Sequence, residues 1–168
     1  MKLRQIIIPT VAAIALLPSC SSDNSNDPQI DGKDTATVSP IPTGPTLTTV
    51  EAAPDWEAQA NAIPETSFMP YGAETVTMGV PASVATVTKD DIAAVFVGDQ
   101  CRKAVRPDDN GLFRLIVSKL QTEEDASVKF HVRYYSAQKG GYYTSTEMDM
   151  VSSGILGSYA APYYMTWK

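Results

Sequence analysis

The stretch Ile92-Ala93-Ala94-Val95-Phe96-Val97-Gly98-Asp99 decides the fold of this chain. A short apolar run bounded by turn residues is typical of a strand that is covered on both faces. The Gly98-Asp99 pair predicts a tight turn, and Gln100 to Val105 is predicted to return beside the first strand. The centre of the fold is therefore expected to be an antiparallel hairpin.

A second stretch alternates strictly between apolar and polar residues. Val128, Phe130, Val132 and Tyr134 alternate there with Lys129, His131, Arg133 and Tyr135. Because successive side chains of a strand point to opposite faces, this pattern predicts one buried face and one exposed face. His131 is accordingly expected to be an ordinary exposed histidine.

Turn residues separate further runs that are predicted to be strands. These are Phe68 to Tyr71, Thr75 to Val80, Leu112 to Leu120, Tyr142 to Met148 and Tyr163 to Trp167. Asn110-Gly111 is the best hairpin signal, and a charged turn is expected at Glu123 to Asp125. The one helix candidate is Asp55 to Ala62, which Pro64 would end. Short strands at this spacing predict an all-β fold, an antiparallel β-sandwich of the immunoglobulin-like or a similar type.

The N-terminus carries a secretion signal. Lys2 and Arg4 precede an apolar segment that is too short to span a bilayer, and Leu17-Pro18-Ser19-Cys20 closes it. Ser19-Cys20 resembles the cleavage site of bacterial lipoproteins. The resemblance implies removal of residues 1–19 and lipidation of Cys20, which would hold the protein at a membrane.

Residues 20–50 are expected to form a disordered tether between the anchor and a folded domain at residues 51–168. The segment is rich in Ser, Thr, Asp, Asn and Pro, so it cannot bury enough apolar surface to fold. Asp34-Thr35-Ala36 resembles the O-glycosylation acceptor of Bacteroidetes, which makes Thr35 a candidate modification site.

Composition excludes several classes of function. Loss of Lys2 and Arg4 with the signal would move the formal charge from −6 to −8, with 11 basic against 19 acidic residues. Such an acidic surface argues against nucleic acid as a partner. With Cys20 lipidated only Cys101 remains, and there is one histidine, so neither an internal disulfide nor an ordinary zinc site is expected. No motif for a cofactor is present.

The segment from Asp91 to Arg102 resembles a small module of secreted and surface proteins of Bacteroidetes. In that module an acidic residue leads into an apolar strand, a Val-Gly turn and a Cys-Arg pair. The module usually has glycine where this chain has Lys103, and that glycine is expected to mark a bulge or close packing. The resemblance implies a β-sandwich of unknown function, often found beside adhesive, carbohydrate-processing or anchoring domains. It also implies a lipoprotein of the outer membrane, placed on the cell surface, with the periplasmic face as the alternative.

Four polar clusters are candidate sites. Cys101 and His131 could be imagined as a catalytic dyad, but a buried structural cysteine is the favoured interpretation. Arg102 is predicted to pair with Asp91 or Asp99 at a strand end. The pairs Asp90-Asp91 and Asp108-Asp109 lack the spacing of a calcium loop and are interpreted as solvated turns.

Aromatic residues crowd the C-terminal third and give the one hint of a ligand. Tyr163, Tyr164 and Trp167 are the candidate platform for a sugar ring or a protein partner, and the alternative is plain cross-strand packing. No catalytic constellation is found, so the chain is not expected to be an enzyme. We expect a non-catalytic, lipid-anchored binding or interaction module of the cell envelope. The alternatives are a glycan-binding surface lipoprotein and a fimbrial or adhesin subunit.

Overall fold

Two β-sheets and one short helix make up residues 44–168, the part of the chain that the computed structural model describes. The helix α1 spans Trp56–Asn61. The strands are β1 (Thr48–Thr49), β2 (Glu74–Gly79), β3 (Ile92–Val97), β4 (Gln100–Val105), β5 (Phe113–Val117), β6 (Lys129–Ser136), β7 (Gly141–Thr144), β8 (Met148–Asp149), β9 (Ile155–Leu156) and β10 (Tyr163–Tyr164). Single 3-10 turns lie at Glu65–Ser67 and Gln121–Glu123. The predicted all-β sandwich is confirmed.

The first sheet has the strand order β1-β7-β6-β3-β4, and β8 also pairs with β6. All of its pairings are antiparallel. The central hairpin has the predicted bounds, with Gly98 at a φ of 56° in the turn. Glycine suits that turn because a side chain is strained at positive φ.

The second sheet is mixed. Strand β2 pairs antiparallel with β5 on one side, and on its other side it pairs parallel with β9 and β10. Gly157 has a φ of 72°, and a Cβ atom there would lie 2.4 Å from the backbone oxygen of Thr77. Only glycine can therefore let the chain leave the sheet after β9 and rejoin it at β10.

The main core fills the space between the two sheets. Strand β5 shows how: Phe113, Leu115 and Val117 are fully buried, whereas Arg114 and Ile116 face outward. The inward side chains of the first sheet meet them, among them Val95, Val132 and Tyr134. This is the alternation expected of strands in a packed sandwich.

A second core lies on the outer face of the first sheet, under α1. The Trp56 ring packs edge-on against Phe96 and Tyr142, with centroids 5.6 Å apart in each pair. Ile92 and Ala94 join this cluster, whereas Ala93 and Val95 belong to the main core. The apolar run of β3 is therefore buried on both faces, as predicted, because the helix covers the face that the second sheet does not.

The folded part begins before residue 51. Thr48 and Thr49 pair with β7, and the Thr46 amide donates to the Lys168 carbonyl at 3.1 Å. Leu47 also packs against the main core. The predicted tether boundary at residue 50 is therefore wrong, because this polar stretch supplies backbone hydrogen bonds to a sheet edge.

One predicted connection and two predicted strands also differ from the structure. Asn110-Gly111 forms a turn, with Gly111 at a φ of 72°, but β4 and β5 lie in different sheets, so no hairpin results. The segment Tyr163 to Trp167 is not one closing strand. Its first two residues pair in the second sheet, and Trp167 bridges to Ser145 beside the first. The expected strand Phe68 to Tyr71 is reduced to a bridge between Phe68 and Leu120.

Candidate functional site

A cleft of about 930 Å³ lies between α1, the 3-10 turn that follows it, and the strands β4 and β5. Both strands lie at the end of their sheet's order, so each has a paired neighbour on one side only. Helix α1 is fixed beside β4 by Trp56, which is buried in the second core. The cleft wall is thus formed partly by α1, β4 and β5 and partly by the connection at residues 63–70.

Apolar side chains form about half of the cleft wall. They include Ile63, Pro64, Phe68, Met69, Pro70 and Ile116. Ile116 lies there because β5 turns every second side chain outward, and it keeps 42% of its surface exposed. Gln121 fixes the opposite wall, since its amide donates to the Thr66 carbonyl at 2.7 Å. A concave surface that offers both apolar contacts and polar groups can serve as a binding site.

Arg102 lines the cleft from a β-bulge. Val95 pairs with Lys103 and Phe96 with Cys101, so Arg102 is the extra residue of β4. Its guanidinium donates two hydrogen bonds to the Glu123 carboxylate, at 2.8 and 3.2 Å. Those bonds lower the pKa of Glu123. The bulge therefore lies one residue before Lys103. Lys103 is the position at which the similar module usually has the glycine that is expected to mark a bulge.

Charged groups of both signs line the cleft. The Arg102 side chain is 3% exposed and is paired with Glu123, although its Nε has no partner among the described residues. Lys103 beside it is exposed, and its ammonium makes no ion pair within residues 44–168. The exposed carboxylate of Glu65 also lines the cleft, so its wall carries both positive and negative charge.

The predicted partners of Arg102 are wrong. Asp99 is fully exposed and lies 3.8 Å from Arg133 instead. Asp91 is fully buried and serves as a hydrogen-bond acceptor elsewhere. Arg102 reaches Glu123 because the bulge turns its side chain toward the loop after β5 rather than along its own hairpin.

Asp91 anchors the entry to β3 through four hydrogen bonds. Its Oδ2 accepts from the Thr88 amide at 3.0 Å and from the Tyr134 hydroxyl at 2.5 Å. Its Oδ1 accepts from the Thr88 hydroxyl and the Ala137 amide, each at 2.9 Å. Burial and the bond to Asp91 raise the pKa of Tyr134. Asp91 is therefore a structural residue, not the solvated turn carboxylate that was predicted.

Cys101 and His131 do not form a dyad. Phe96 pairs with Cys101 on one side and with His131 on the other, so its ring stands between them. The Cys101 thiol donates to the Trp56 carbonyl at 3.5 Å, and burial raises its pKa to about 11. A thiol that stays protonated and faces a carbonyl is a packing group, as predicted.

The predicted exposure of His131 is wrong. Its exposed fraction is 8%, and its ring stacks on Phe96 with centroids 5.5 Å apart. Burial, and the charge of Arg133 next, lower the pKa of His131. Arg133 lies over the Phe96 ring at 4.2 Å. The face that was predicted to be polar is therefore partly covered by cation and ring stacking, which the alternation of residue types does not reveal.

The three aromatic residues of the predicted platform do not share an exposed surface. Trp167 packs against Tyr134 and Tyr143, at 6.0 and 6.4 Å between ring centroids, and Tyr163 packs against the main core. Only Tyr164 is exposed, at 55%. The platform is thus wrong as a set, because parallel pairing with β2 turns successive side chains of β10 to opposite faces.

The Asp108-Asp109 pair shapes a turn. Asp108 Oδ1 accepts from the amides of Asn110 and Leu112, at 2.9 and 3.0 Å. This use of a side chain to close a turn is common for aspartate. Within residues 44–168 no group of three or more potential ligand side chains is placed to hold a metal ion.

Two predicted sites, Cys20 and Thr35, lie outside the described residues. Between residues 44 and 168 no helix has the length and apolar character needed to cross a membrane.

Comparison of the chain with protein-family models, with curated proteins and with solved structures gave no match.

Proposed function

We propose that the protein is a non-catalytic, lipid-anchored binding or interaction module of the cell envelope, and that the cleft is its binding site. The cleft carries the proposal. Its volume of about 930 Å³ lies within the range of roughly 300–1,000 Å³ that ligand sites commonly occupy. Helix α1 and the strands β4 and β5 form part of its wall, so a ligand would not have to order those elements.

In this proposal lipidated Cys20 is the anchor, and it attaches the protein to the outer membrane of a Bacteroidetes cell. Support comes from the charged start, the short apolar segment and the Leu17 to Cys20 motif. Two or three acyl chains would make the attachment stable. The segment between Cys20 and the folded part would set the distance of the cleft from the membrane.

A fimbrial or adhesin subunit is the second candidate. It is favoured by the positions of β4 and β5, which each end a sheet and adjoin the cleft. An open strand edge is the feature through which such subunits can accept a strand from a partner. Glycan binding has less support, since Tyr159 and Tyr164 are the tyrosines of the C-terminal third that stay largely exposed.

The anchor is tested by labelling producing cells with an alkyne analogue of palmitate. We expect the chain to carry the label and to sediment with membranes, whereas the Cys20→Ala variant loses the label and becomes soluble. The Cys101→Ala variant is the control and should remain labelled. Equal labelling of the Cys20→Ala variant would contradict the anchor.

The cleft is tested with a photo-crosslinking amino acid placed at position 116 in the producing cells. The matched control places it at position 155, where Ile155 is 77% exposed but does not line the cleft. A cleft-specific partner gives an adduct from position 116 that is absent from position 155. No adduct, or the same adduct from both positions, would contradict the proposed function.

A further inference from the structure

The sandwich has two seams, which are the sides along which the edges of its two sheets meet, and the two seams differ. At one seam the C-terminal segment serves both sheets, since Tyr163–Tyr164 pairs with β2 and Trp167 bridges to Ser145. At the other seam β4 and β5 end their sheets, and the cleft opens beside them. Helix α1 packs against β4, and β5 also approaches β4, so the part of the β5 edge that borders the cleft is the part open to a ligand.

The outward face of β5 carries two side chains with different chemistry. Ile116 lines the cleft and is partly exposed. Arg114, two residues before it, is exposed, and its guanidinium makes no ion pair within residues 44–168. Residues directly opposite on neighbouring strands touch, so a strand added at this edge would contact both side chains.

We propose that the cleft binds an extended peptide segment of a partner protein, added as a strand to the edge of β5. The segment has an apolar residue opposite Ile116 and an acidic residue opposite Arg114, two positions apart. Main-chain hydrogen bonds give affinity in this mode, and alternate side chains give specificity. Lys103 and Glu65 line the cleft with opposite charges, so the preference for an acidic residue rests on Arg114. This inference rests on the proposed function, because it names the partner class of the same cleft.

Fluorescent synthetic peptides of about eight residues, the length of an ordinary strand, test the proposal. One peptide has valine and aspartate two positions apart in a serine and threonine background, and its counterpart has lysine in place of aspartate. Anisotropy is measured with the full chain in phosphatidylcholine nanodiscs. We expect the aspartate peptide to bind about tenfold more tightly than the lysine peptide.

Three variants and two modified peptides locate the contact. Arg114→Glu should reverse the preference, so that the lysine peptide binds better, which a misfolded variant could not do. Ile116→Asp should weaken binding about tenfold, and Ile155→Asp, the control outside the cleft, should leave it unchanged. Methylating alternate backbone nitrogens on one edge of the aspartate peptide should abolish binding, and methylating the other edge should not.

Each remaining outcome overturns the proposal. These outcomes are no binding of either peptide at about 1 mM, a preference that survives Arg114→Glu, or equal losses from Ile116→Asp and Ile155→Asp. Failure here is distinguishable from failure of the proposed function. If position 116 gives an adduct in cells and protease does not digest the crosslinked partner, the cleft has a ligand of another class. If position 116 gives no adduct, the cleft is not the binding site.

Discussion

Replacing Asp91 with asparagine tests the most demanding hydrogen-bond arrangement in the fold. Each carboxylate oxygen accepts from one backbone amide: Oδ2 from Thr88 and Oδ1 from Ala137. A hydroxyl can rotate to accept a hydrogen bond, but a backbone N–H can only donate. Whichever way the asparagine amide is turned, its NH₂ group therefore faces an N–H donor.

The expected loss follows from that conflict. Asp91 is fully buried, so water cannot replace the lost acceptor. A buried donor left without a partner costs about 1–3 kcal/mol, and hydrogen bonds to a charged acceptor weaken when the acceptor becomes neutral. We expect the Asp91→Asn variant to lose about 2–4 kcal/mol of unfolding free energy.

Urea unfolding monitored by tryptophan fluorescence measures this loss, with the chain from residue 20 carrying Cys20→Ser. The control is Asp90→Asn, since Asp90 is the exposed neighbour and surface substitutions usually change stability by less than about 0.5 kcal/mol. If Asp91→Asn costs as little as Asp90→Asn, the assignment of Asp91 as a necessary double acceptor is wrong.

Three further predictions concern aromatic and titrating groups. Trp56→Ala should lower the free energy of unfolding by about 3–5 kcal/mol, because it empties the second core, and it should abolish peptide binding. Trp56→Phe should keep part of the stability and part of the binding. Circular dichroism during urea unfolding measures the loss of stability. Trp167→Ala should lower the melting temperature more than Tyr164→Ala, because only the Trp167 ring packs on the core. Burial holds the pKa of His131 below 6.5, so the unfolded chain binds a proton first as the pH falls, and stability should decline below about pH 6.5. His131→Gln should flatten that decline in unfolding measurements between about pH 7.5 and pH 5, and an unchanged slope would contradict it.

Local sequence patterns predicted the elements that local chemistry decides. The apolar run of β3 and its return in β4 have the predicted bounds, since apolar residues and the Gly98 turn act within a few positions. The helix candidate Asp55 to Ala62 matches α1, and Asp55 is its N-cap. Trp56 is the buried residue of that helix, because its ring packs against Phe96 and Tyr142.

Features that depend on distant contacts could not be predicted in this way. The Asn110-Gly111 turn has the expected local chemistry, but only packing of β5 on the second sheet decides that it crosses between sheets. His131 is polar by type, yet Phe96 and Arg133 cover it. The cleft combines residues from α1, β4 and β5, and exposed Ile116 in an alternating strand was its one local signal.

Arg114 at the edge of β5 can serve two purposes. It can protect the edge against self-association, and it can select a partner. Exposed strand edges invite pairing with a second copy, and charged side chains on the edge discourage it. Two β5 edges paired together would bring two Arg114 side chains near each other, and like charges on neighbouring strands repel. A segment with a carboxylate at that position removes the repulsion and pairs with the guanidinium. The charge that keeps identical chains apart would therefore admit an acidic partner, which is why reversal of preference by Arg114→Glu is the most direct test of the cleft.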